Sequence, residues 1–183
     1  MNLKAITSAL LLAGFAASPA FAESGTINFT GSIANVTCTI NGGSSAPLVA
    51  DIGSISAGDL ANVGDRQGKA SIVITVGAPG ETSCPNGTKV WARFDEDPTL
   101  VDLVTGMVKV TPGPNAAAGV QIRLFNENNE AMHLKDDQKI FKKTVQDNQA
   151  TIIHTASYEA IGPVTAGTAN GLVRYTVNYE PAG

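Results

Sequence analysis

The feature that most constrains this chain is an alternation of apolar and polar residues with period two, recurring along most of its length. In Thr26–Ile33, Ile27, Phe29, Gly31 and Ile33 fall on one side, and Thr26, Asn28, Thr30 and Ser32 on the other. This is the pattern of a strand with one buried face. The same reading predicts strands at Ala70–Val76, Lys89–Phe94, Val108–Thr111, Val120–Phe125, Ile140–Thr144, Gln149–Tyr158 and Leu172–Tyr179. Turn signals separate them: Asn41-Gly42-Gly43, Gly77-Ala-Pro-Gly80, Pro85-Asn86-Gly87, Pro112-Gly113-Pro114-Asn115, Asn126–Glu130 and Gly162-Pro163. Only Ser56–Asn62 offers a helical turn or two. Short strands at this spacing predict an all-β sandwich or barrel. No repeat of 20–50 residues is visible, which argues against propellers and solenoids.

The first segment reads as an address. Lys4 precedes the apolar run Ala5–Ala17, then Ser18-Pro19, then Ala20-Phe21-Ala22, a small-x-small cleavage site. A cleaved signal peptide is expected at 1–22. The length of 183 residues suits a single domain. The chain is mildly acidic, with 12 basic and 16 acidic residues, a poor start for a partner of nucleic acid.

Export decides what the two cysteines do. In an oxidising compartment Cys38 and Cys84 are expected to form a structural disulfide. Closing so long a loop contributes roughly 4 kcal/mol in the chain-entropy account. Two thiols without nearby His or a second pair do not make a metal site, and their spacing is not that of a redox pair. Cys38 is expected on the first strand. Trp91 follows the second cysteine, so the order is not that of an antibody domain.

No catalytic pattern emerges. The chain has no Gly-x-Ser-x-Gly elbow, phosphate loop, His-Glu-x-x-His or Gly-x-Gly-x-x-Gly. His133 and His154 lack metal-ligand spacing and read as structural or surface histidines. The run Asp95-Glu96-Asp97 reads as a solvated loop and matches no calcium pattern. Lys135, Lys139, Lys142 and Lys143, interleaved with Asp136 and Asp137, read as a wet face. The expectation is a protein without catalysis, cofactor or metal.

Two alternating segments lie near the ends of the exported chain: the one at 26–33, and Val173-x-Tyr175-x-Val177-x-Tyr179. Both have strong β-propensity and edges that natural sheets usually blunt. They could pair within one sandwich or with another chain, by strand addition. Alternation alone leaves both open.

From Gly25 to Tyr179 the chain resembles the pilin subunits of chaperone–usher fimbriae, in particular the type 1 fimbrial major-subunit family. Four stretches in order carry the resemblance: Gly25–Cys38; Cys84-Pro-Asn-Gly-Thr-Lys-Val-Trp-Ala-Arg-Phe94; Ala118–Met132; and Thr155-Ala-Ser-Tyr158 with Val164-Thr-Ala-Gly167 and Leu172–Tyr179. The resemblance implies an incomplete immunoglobulin-like β-sandwich, lacking its seventh strand, completed by a donor strand from a neighbouring subunit. It implies an N-terminal donor-strand extension at 23–35, with Gly25, Ile27, Phe29, Gly31 and Ile33 in the donor strand, ahead of a pilin domain at 36–183. Val173, Tyr175, Val177 and Tyr179 would form the groove wall and the edge on which a chaperone docks. Cys38–Cys84 would tie the first two strands.

The implied partners are other copies in a linear polymer, a periplasmic pilus chaperone and an outer-membrane usher, with room for a separate tip adhesin. The implied route runs through the periplasm to a fimbria on a Gram-negative surface. Where the family tends to end on a penultimate aromatic, this chain has Glu180-Pro-Ala-Gly183 after Tyr179. Pro181 cannot donate to a ladder, so pairing is expected to stop at Glu180. The alternatives are a self-contained periplasmic or secreted binding sandwich, and a minor adaptor or terminator subunit. Sortase-linked and type IV pilins need a sorting signal or a retained apolar helix, and a tip adhesin needs a second domain.

Overall fold

Two twelve-residue strands pair at one edge of the larger sheet. The computed structural model describes residues 36–182, and the expectations for 1–35 lie outside the described residues. β1 (Arg66–Gly77) and β7 (Gln149–Ala160) run antiparallel, with Ile72 opposite His154, Ile74 opposite Ile152 and Val76 opposite Ala150. Residues directly opposite share a face, so these six point inward while Val73 and Ile153 point out. The register slips between Gln67 and Ala70.

Further strands are β2 (Lys89–Phe94), β3 (Val101–Asp102), β4 (Met107–Lys109), β5 (Val120–Phe125), β6 (Lys143–Thr144) and β8 (Tyr175–Glu180). They form two antiparallel sheets, one of order β1-β7-β5-β4-β3 and one of order β6-β2-β8. At one end Ile74, Val76, Val90, Val145, Ile152 and Val177 pack around the disulfide. At the other, Phe94, Val101, Val108, Leu124, Met132 and Leu134 pack together. Each such side chain contributes about 1.5–3 kcal/mol on full burial, so two sheets of mostly short strands hold one another in place.

β2 and β5 match the sequence expectation to the residue, and β1 and β7 extend it. Four differences have physical causes. The strand expected at Ile140–Thr144 shrinks to β6. Beside Phe94 its place is taken by one side chain: buried Gln138 accepts from Phe94 N–H at 2.9 Å and donates to Phe94 C=O at 2.8 Å. The strand expected from Leu172 begins at Tyr175, after a single bridge between Gly171 and Val110. β3, at two residues, is too short to alternate. The helical segment is a 3-10 turn, Ala57–Leu60, whose preceding Ser56 accepts from Gly58 N–H at 3.2 Å.

Cys38 requires a correction: it lies in no strand. It bonds Cys84, in the loop between β1 and β2, with S–S 2.04 Å and Cα–Cα 4.6 Å. The bridge therefore ties a leading segment, held to β1 by the Ile40–Val76 bridge, to that loop. Gly77 is required beside it. At φ +77° a Cβ there would sit 2.1 Å from Asn148 O and 2.8 Å from Cys84 Sγ.

Gln138→Ala leaves the Phe94 N–H and C=O buried without partners, so we expect a loss of about 1–3 kcal/mol. The shift of the urea midpoint measures it.

Candidate functional site: an open groove beside the last strand

β8 pairs on one side along its whole length, from Phe94 opposite Tyr175 to Lys89 opposite Glu180. On its other side it has no strand partner among the described residues. Pairing stops at Glu180, as Pro181 requires. There the carboxylate takes hydrogen bonds from Lys142 and, at 3.0 Å, from Lys89. These two lysines hold the Glu180 carboxyl below its ordinary pKa.

The alternation of this segment is turned toward the core. Val177 is buried, and Val173, Tyr175 and Tyr179 pack against buried clusters while half-buried themselves. Beside them the two sheets part into a groove of about 620 Å³. Ile72, Phe94, Ile122, Leu124 and Ala156 line it from both sheets, and Leu48 and Ile52 line it from the segment that precedes β1. Leu48 and Leu172, also on its lining, remain 40% and 53% exposed. Gly171 is there by necessity: a Cβ would meet Ile122 Cδ1 at 2.7 Å and Lys109 O at 3.1 Å. A second hollow, of about 590 Å³, includes Asp51 and Asn170, each one residue along the chain from the groove.

One residue clasps the open side. Asn41, in the left-handed region at φ +51°, accepts from Thr75 N–H on β1 at 2.9 Å and donates to the Tyr175 hydroxyl at 3.1 Å. It links the edge strands of the two sheets without a ladder.

Of the residues singled out in the sequence, Val173 and Tyr175 line the groove, Val177 and Tyr179 pack in the cluster around the disulfide, and Cys38 and Cys84 are bonded. Gly25, Ile27, Phe29, Gly31 and Ile33 lie outside the described residues. Sequence reasoning missed Asn41 and the wall at residues 47–52. Asn41-Gly42 signalled a turn, and nothing in it signalled the clasp. The acidic run is solvated and paired: Glu96 with Arg93 at 2.6 Å, Asp97 with Arg174 at 3.0 Å. Among the described residues no group of three or more His, Cys, Asp or Glu could hold a metal ion. His133 is fixed by Val104 O and Asp136 N–H.

His154 is buried in β7 edge-on to Phe94, ring centroids 5.0 Å apart, and neither ring nitrogen has a hydrogen-bond partner. Burial pushes its pKa below the ordinary value.

These features define an incomplete immunoglobulin-like β-sandwich with an apolar groove beside an unpaired strand. The model of the fimbrial protein family matches residues 27–180, and the chain belongs to that family. It is 29% identical over 174 residues to the major fimbrial subunit SMF-1 of Stenotrophomonas maltophilia, covering 90% of this chain and 99% of that one. It is 31% identical over 209 residues to the fimbrial protein FimX of Bordetella pertussis, covering 98% and 100%. Among solved structures, the P pilus rod subunit PapA shares the fold at TM-score 0.54, with 19% identity over 78% of this chain and 99% of that one. The chain is thus a structural subunit that polymerises with others into a surface fimbria of Gram-negative bacteria, and not an enzyme.

Two outcomes are expected. Val177→Asp puts a carboxylate among Ile74, Val90 and Val145 at a cost of several kcal/mol, so the subunit should fail to accumulate in the cells, as read by immunoblot. For His154, the unfolded chain takes up a proton below about pH 6.5 that the folded chain resists, so stability falls as pH falls. The difference in urea midpoint between about pH 7 and about pH 5 should therefore shrink in His154→Phe.

Proposed function

We propose that the groove receives the N-terminal extension of a neighbouring subunit, so that the fimbria grows by donor-strand exchange. The single observation that carries this reading is the unpaired edge of β8 beside an open apolar groove. Such an edge offers a row of N–H and C=O groups to an incoming strand, and the groove offers space for every second side chain. The lengths agree. At ~3.3 Å per residue, the six residues of β8 and the segment from Ile27 to Ile33 each span roughly 20 Å.

On this reading residues 1–22 are a leader removed on export and residues 23–35 are the donor. Residues 36–183 form the receiving domain. Ile27, Phe29 and Ile33 enter the groove of the next copy, each contributing ~1.5–3 kcal/mol when fully buried, while Gly25 and Gly31 let the backbones come close. In the periplasm a pilus chaperone occupies the β8 edge first, docking along Val173, Tyr175, Val177 and Tyr179. An outer-membrane usher then passes the subunit into the growing fimbria. An exposed sheet edge of this kind is an aggregation hazard, which is the physical reason for a chaperone.

Phe29→Asp should abolish incorporation into fibres, because a carboxylate cannot enter the groove, while the complex with the chaperone still forms. Electron microscopy of the cells and co-purification of chaperone with subunit read the two arms. Normal fibres from the variant would remove residues 25–33 from the donor role.

A further inference from the structure

The chain holds three Asn-Gly pairs, Asn41-Gly42, Asn86-Gly87 and Asn170-Gly171. This dipeptide is the one most open to intramolecular attack on the asparagine side chain, because glycine has no Cβ to crowd the nitrogen that follows. The structure treats the three differently. Asn41 is tied at both side-chain atoms, by Thr75 N–H and by the Tyr175 hydroxyl. At the second pair, Asn86 Oδ1 accepts from Asn148 N–H at 2.8 Å, and the attacking nitrogen is also engaged, Gly87 N–H donating to Val145 O at 3.0 Å. At the third, the Asn170 side chain is exposed, and neither it nor the Gly171 N–H makes a hydrogen bond among the described residues. Packing forces glycine at 171, since a Cβ would press on Ile122 and Lys109.

We propose that Asn170-Gly171 is a site of spontaneous deamidation at the mouth of the groove. The Gly171 nitrogen, having given its proton to solvent, attacks Asn170 Cγ and forms a C–N bond. The Cγ–Nδ2 bond breaks and ammonia leaves. Water then opens the five-membered imide at either carbonyl, giving aspartate or isoaspartate, with no oxidant or cofactor involved. A neutral amide becomes a carboxylate at the joint between the two hollows. In the isoaspartate product the main chain gains a methylene five residues before β8, ahead of the strand whose register is set against β2. The chemistry does not depend on what occupies the groove.

The test incubates the exported chain at mildly alkaline pH, native and in urea, and localises by peptide mass spectrometry the exchange of NH2 for OH. In the native chain Asn170 should convert about tenfold faster than Asn41 or Asn86, the factor corresponding to one retained hydrogen bond of ~1.4 kcal/mol. In urea, where these bonds are gone, the three should convert at similar rates. Asn170→Gln should abolish the product at that position while leaving the other two sites unchanged. Native Asn170 as stable as Asn86, or equal conversion of all three in the native chain, overturns the proposal.

Discussion

A strand at the edge of a sheet leaves its outward backbone groups without partners, and the fold turns on where this chain leaves such an edge. Among the described residues it does so at β8, beside the place where the two sheets part. Val177 is buried, yet Tyr175 and Tyr179, two residues to either side, are half-buried. Sheet edges are usually blunted by charge, proline or a bulge. Here those devices are confined to the last residues: Pro181 ends the ladder, and Glu180 is pinned by Lys89 and Lys142. The stretch Tyr175–Tyr179, on the groove side, is left without them. For a self-contained domain this would be a liability. On the proposed reading it is the surface that receives the neighbouring subunit.

The rest of the molecule keeps that surface in shape. On the outer face of the larger sheet, Arg123 donates to Glu159 at 2.8 Å and to the backbone carbonyls of Thr105 and Met132 at 3.0 and 3.1 Å. Burial alone would raise the Glu159 carboxyl, but the hydrogen bonds from Arg123 and Arg66 outweigh it and hold the pKa below the ordinary value. The carboxylate therefore stays charged and locks β5, β7 and the start of β1 together. The disulfide ties the leading segment to the loop after β1, and the Asn41 clasp ties it to β1 and to Tyr175. Gln138 finishes the edge of β2 at Phe94, the residue that lines the groove from the smaller sheet. Each tie holds an element that borders the opening.

What could be read from the residues was whatever depends on alternation. β2 carries Val90, Ala92 and Phe94, β5 carries Val120, Ile122 and Leu124, and β8 carries Tyr175, Val177 and Tyr179 at every second position, so one face of each is legible despite the apolar Trp91 and Phe125 on the other. The groove's other wall was not, because 47–52 joins no ladder among the described residues and shows neither period. Gln138 was invisible for a related reason: a side chain standing in for a strand leaves no pattern, only a polar residue in a polar loop. Cys38 was placed on a strand because its neighbours resemble one. Among the described residues, that segment is held by the Ile40–Val76 bridge and by single backbone hydrogen bonds at Thr37 and Thr39. The family resemblance supplied what periodicity could not, the expectation that the last strand lacks a neighbour.

The two alternating ends of the chain then take complementary roles on the proposed reading, and chain geometry favours the split. A groove bordered by Leu48 and Leu172, both substantially exposed, gains most from an occupant that covers both at once. A strand does this, since its side chains alternate while its backbone satisfies β8. A loop would bring backbone groups into an apolar groove without partners for all of them, and a helix is about 10 Å across, twice the ~4.8 Å spacing of neighbouring strands. Chemistry that selects for an extended, alternating, apolar segment selects for a sequence like that of residues 27–33. A chain that carries both the receptor and such a segment needs only to offer the segment to the next copy for growth to continue in one direction.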